Sequence, residues 1–128
     1  MLGAAARELV PGRSAAPPPG MPRDQYWDDC RNSLGIARLL VQDGRPEALI
    51  TTACRMAVES ACRAALEQAG LPFTGDMNEG LRRLGCFDAV GAVEVDGPAR
   101  ARLAAAEKAV SWVAVYLRGV APERPWGY

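Results

Sequence analysis

Residues 46–70, PEALITTACRMAVESACRAALEQAG, form the longest uninterrupted helical pattern in the chain. Pro46 suits a first helical turn, where its missing N–H has no partner to lose. Glu47 places negative charge at the positive end of the helix dipole. Gly70 fits the residue just past a helix end, and Pro72 blocks continuation. Between them Ile50, Ala53, Cys54, Ala57, Ala61, Ala65 and Ala69 recur at three- and four-residue steps, and Val58, Cys62 and Leu66 widen that face. Arg55, Glu59, Arg63 and Glu67 alternate in sign four residues apart on the other side. A face built mostly of Ala and Cys lets neighbouring backbones approach closely. The stretch therefore reads as the central helix of a bundle.

The rest of the chain falls into place around it. Residues 1–22 contain AAPPPGMP, favour extended polyproline-like backbone and read as a flexible Pro-rich arm. A first helix is expected over 24–43, with Asp24 as its N-cap and a seam of Trp27, Cys30, Leu34, Ala37 and Val41. Gly44 and Arg45 leave room only for a tight turn, so the first two helices are expected to be antiparallel neighbours. A short helix over about 76–84 presents Met77, Leu81 and Leu84. Residues 86–97 alternate at Val93-Glu94-Val95-Asp96, but a lone strand is not stable. They read as a loop with Phe87 and Val90 tucked into the core. A last helix over about 98–118 has the seam Leu103, Ala106, Val110, Val113 and Leu117, and Gly119 closes it. The expectation is an all-α, up-and-down four-helix bundle over 23–119, three helices long and one short, followed by a Pro- and aromatic-rich tail over 120–128.

Composition excludes several functions. Lys+Arg and Asp+Glu are both 15, so the formal charge is zero. A dedicated nucleic-acid binder needs a positive surface, and only a local basic patch would remain for that role. There is no histidine, which removes the commonest general base and metal ligand near neutral pH. A ferritin-like metal bundle needs a Glu-x-x-His pair, so no metal or cofactor is expected. Cys30, Cys54, Cys62 and Cys86 form no CxxC pair and read as buried, reduced thiols. Cys54 and Cys62 lie about 12 Å apart along one helix, too far to bridge. No apolar run reaches the roughly 18–20 residues of a membrane span. The opening residues MLGAAARELVPGRS hold no hydrophobic signal core, and the expectation is a cytoplasmic protein.

The layout resembles the HEPN domain, the small helical bundle often paired with minimal nucleotidyltransferases. The second helix carries its pattern as AVESACRAAL over 57–66, ending at Gly70. The short helix matches as Gly75-Asp76-Met77 with Leu81 and Leu84, glycine standing where the family often has histidine. The resemblance spans about residues 24–119 and implies either a partner-binding module or an RNase with an Arg-x4-6-His motif. Arg31-Asn32 has the right opening pair, but Ile36, Ala37 and Arg38 occupy the positions for the histidine. From Arg55 the same positions are Ser60, Ala61 and Cys62. Cleavage needs a group that handles a proton beside the attacking 2′-hydroxyl, and none of these six fills the histidine's place.

Among carboxylates, Asp28 and Asp29 point about 100° apart on a helix and do not share a substrate proton. Glu59 between Arg55 and Arg63 is held ionised, which does not suit acid catalysis. The reading is a non-catalytic binding or assembly module, homodimeric or docked on a nucleotidyltransferase. The alternative is a HEPN-type nuclease or nucleotide-binding enzyme that uses arginines and carboxylates. Arg31, Asn32, Arg55, Glu59 and Arg63 are the candidate binding residues. Tyr26, Trp27, Trp112, Tyr116 and Trp126 are the candidate interface residues, because adjacent aromatics cannot all face one narrow core.

Overall fold

The computed structural model describes residues 21–117, and all regular structure among them is helical. The helices are α1 (Met21–Gln42), α2 (Glu47–Ala69), α3 (Met77–Arg83) and α4 (Ala99–Ala114), with 3-10 turns at Phe87–Ala89 and Ala92–Glu94. No helix among the described residues is long and apolar enough to cross a membrane. The expectations for residues 1–20, for Arg118 and Gly119 and for the 120–128 tail lie outside the described residues.

Helix α1 begins at Met21, three residues before the expected cap. Pro22 falls in its first turn, where a proline is pre-set for helical φ. Asp24 lies inside that turn and pairs with Arg23 at 2.6 Å, so it favours the dipole rather than capping it. The ends of α1 and α2 close alike. Gly44 and Gly70 adopt φ of 64° and 73°, a region glycine enters without strain. Arg45 N–H then donates to Leu40 O at 3.0 Å and Leu71 N–H to Leu66 O at 2.9 Å, satisfying last-turn carbonyls. Asp76 caps α3 through Glu79 N–H at 3.2 Å.

The core runs along α2, whose Ile50, Ala53, Cys54, Ala57, Val58, Ala61, Cys62, Ala64, Ala65 and Leu66 are buried. Helix α1 packs antiparallel along it. Tyr26 meets Arg63 near one end, and Leu40 lies with Leu49 near the other. Trp27, Cys30, Leu34 and Ala37 are all buried, as the seam requires. Helix α4 follows the direction of α2. Arg102 Nη1 lies 3.5 Å from Thr51 Oγ1 near the start of both helices, and the Gln68 amide donates to Tyr116 O near their ends. Arg38 joins α1 to α4 through Glu107, with Nη2–Oε2 at 2.6 Å and Nε–Oε2 at 2.7 Å.

The chain returns between α2 and α4 through α3 and the two 3-10 turns. Asn78 holds this connection together, accepting from Gly91 N–H at 3.0 Å and donating to Glu94 at 3.0 Å. Phe87 is not in the core; it is 68% exposed. A 3-10 turn has three residues per turn, so Cys86 and Ala89 share one side and are buried while Phe87 turns outward. Helix α4 ends at Ala114, short of the expected 118. The next residues tighten into i to i+3 bonds, with Tyr116 N–H on Val113 O at 2.9 Å and Leu117 N–H on Ala114 O at 3.0 Å.

Candidate functional site

The polar residues singled out by sequence divide into two groups. Glu59 and Arg63 stand one turn apart on α2 and pair at 3.6 Å. The Arg63 guanidinium also lies over the Tyr26 ring at 5.0 Å and over the Phe73 ring at 4.6 Å. Cation–π contact with two rings holds the charge in place and shields the apolar faces of both. A small polar recess of about 180 Å³ opens here, with Leu66, Glu67, Leu71 and Pro72 completing its walls. Arg31, Asn32 and Arg55 are exposed and stand apart from this cluster. Arg31 lies 3.6 Å from Asp28 on its own helix. The expected ladder from Arg55 to Glu59 does not close, and Arg55 forms no ion pair among the described residues.

The four thiols are free and buried. Burial pushes Cys30 and Cys62 up to about 12, and it also raises Cys54 and Cys86. A buried thiol held protonated is a poor nucleophile. No group of three or more Cys, Asp or Glu side chains is placed to hold a metal among the described residues.

The aromatic candidates are mostly engaged within the chain. Trp27 is buried in the core beneath α1. Trp112 is half-buried with Lys108 Nζ 5.7 Å from its ring centre. Tyr116 donates its hydroxyl to Gly85 O at 3.2 Å and edges a recess of about 330 Å³ beside Phe87 and Val115. Trp126 lies outside the described residues.

A surface the aromatic argument missed runs between α1 and α2. Ile36 is 53% exposed, Leu39 60%, Leu49 51% and Met56 54%. Ile36, Leu40, Leu49, Thr52 and Met56 line a groove of about 220 Å³ floored by Ser33 and Ala53. Nearly all of that lining is carbon. The signal was present in sequence as apolar residues off the core seams. Ile36 and Leu39 lie outside the Trp27–Cys30–Leu34–Ala37 series, and Leu49 and Met56 repeat at seven residues outside the α2 face.

Comparisons with protein-family models, with curated proteins and with solved structures find no match for this chain.

Proposed function

We propose that this chain is a non-catalytic helical assembly module, an up-and-down four-helix bundle of the HEPN type acting in the cytoplasm. It works by burying the α1–α2 groove against a protein partner, either a second copy or a nucleotidyltransferase. The groove carries the reading. Three large apolar side chains, Ile36, Leu49 and Met56, are each more than half exposed and line one groove with Leu40 on two well-packed helices. Single exposed apolar residues are ordinary on a protein surface, but a contiguous groove of them marks an interface. The resemblance in the second and third helices supports the family. The proton-handling histidine missing from both arginine motifs supports a binding role over cleavage.

Two measurements test this. The purified protein should not cleave RNA above background, and Arg31→Ala should leave that result unchanged. RNA cleavage abolished by changing Arg31 or Arg55 would overturn the reading. Sedimentation of the chain alone, then mixed with a minimal nucleotidyltransferase, should reveal a complex in at least one case.

A further inference from the structure

We infer that the recess beside Phe87 is filled by this chain's own C-terminal segment, residues 118–128, with Trp126 as the side chain seated in it. The recess has a volume of about 330 Å³ and shares no residue with the α1–α2 groove. The inference therefore stands whether or not the groove takes a partner. The walls of the recess include Phe87, Trp112, Val115 and Tyr116. Phe87 is 68% exposed and Val115 77%, and Tyr116 is exposed as well. Two packed elements, the 3-10 turn at Phe87–Ala89 and the end of α4, thus present large apolar side chains to one hollow. Such a patch is the kind that another segment covers.

The place where the chain leaves the bundle names the occupant. Val115 and Tyr116 line the recess, and they are the two residues before Leu117. Leu117 is buried, so residue 118 sets out from the bundle at the rim of the hollow. Gly119 can reverse the chain without strain. The span from Leu117 to Trp126 reaches roughly 30 Å when extended, several times the width of a hollow of this volume. So short a tether holds its end near the recess at about millimolar concentration. Pro122 and Pro125 restrict the segment and reduce the entropy lost on docking. Trp126 and Tyr128 supply the chemistry, because offset or edge-to-face contact with Phe87 and Trp112 adds to simple area burial. Residues 1–20 leave from the same end of the bundle, since Arg23 bonds Gln68 and the Gln68 amide donates to Tyr116 O. They contain no aromatic residue, and no described residue of α1 lines the recess.

A mutant cycle in the full chain tests the seating. Phe87→Ser and Trp126→Ala should each lower the melting temperature by about 4 °C or more. The double variant should fall no further than the larger single change, because both remove one contact. Val115→Ser, at another exposed wall position, should couple to Trp126→Ala in the same way and replaces Phe87→Ser should that variant not fold. Leu9→Ser with Val10→Ser, in the N-terminal arm, should leave the coupling unchanged. The emission of Trp126, taken as the difference between the parent and Trp126→Ala, should lie to the blue of exposed tryptophan and move to the red in Phe87→Ser. Additive melting shifts, or Trp126 emission indifferent to Phe87→Ser, would overturn the inference. Coupling lost with the Leu9 and Val10 changes would overturn it in favour of the N-terminal arm. Coupling that disappears on dilution as the mass halves would overturn it in favour of the segment of a second copy.

Discussion

Two glycines inside helices illustrate how little of a residue's role its identity reveals. Gly80 is buried where α3 crosses α2, and a Cβ added there would lie 2.8 Å from Cys62 Sγ and 3.0 Å from Leu66 Cδ1. Both neighbours are fixed in the core. Gly35 sits mid-helix in α1, and a Cβ there would meet nothing within 4 Å. The same substitution therefore takes opposite signs. Gly35→Ala should stabilise by about 0.5–1 kcal/mol, the ordinary helix-propensity gain. Gly80→Ala should destabilise, since overpacking costs about 1–3 kcal/mol and exceeds that gain. Urea midpoints of the two variants, moving in opposite directions, are the check.

The thiols give a pH dependence with a definite sign. In the unfolded chain a thiol ionises near about 8.5, whereas Cys30 and Cys62 in the fold hold their protons to about 12. Between those values the folded state binds more protons. The stabilisation is fully present below about pH 8.5 and is lost as pH rises toward 12. The urea midpoint should therefore fall between about pH 8 and 10, and a Cys30→Ala, Cys62→Ala variant should show a shallower fall.

Helix α2 was the most legible element, because its limits are set locally. Pro46, Glu47, Gly70 and Pro72 are signals that act within one turn, and both ends lie where those residues put them. The start of α1 was less legible because Pro22 reads equally as the end of an extended arm or as a first-turn residue. The orientation of Phe87 was illegible for a different reason. A three-residue turn sets which side each residue takes, and no sequence period announces it. The groove was missed because large aromatics drew the interface argument, while Tyr26 meets Arg63 and Tyr116 bonds Gly85 from distant parts of the chain, and Lys108 lies over Trp112 one turn away. The small residues on α2 carry the prediction at this scale. Ala57 and Ala61 are fully buried, with α1 and α4 both packed on that helix. Ala61→Leu should cost about 1–3 kcal/mol by overpacking, whereas half-buried Ser60→Ala should lie within about 0.5 kcal/mol of the parent. A parent-like melting curve for Ala61→Leu would remove α2 from the centre of the fold.

For the whole molecule, association and stability are one equilibrium. If folded chains pair through the α1–α2 groove, pairing draws the unfolding equilibrium toward the native state by mass action. Above the dissociation constant, each tenfold increase in concentration adds about 1.4 kcal/mol per dimer, or about 0.7 per chain. A helical unit of this size has an unfolding entropy of about 0.2 kcal/mol per degree, so the melting temperature should rise by about 3 °C per tenfold step. Met56→Glu places a charge in the groove and changes a side chain that is more than half exposed. Its melting temperature should not change with concentration, and should match the parent at the lowest concentrations, where the parent is itself dissociated. The two curves should then separate as the protein is concentrated. Parallel curves, offset equally at every concentration, would mean that Met56 supports the fold of a single chain and that the groove is not where copies meet.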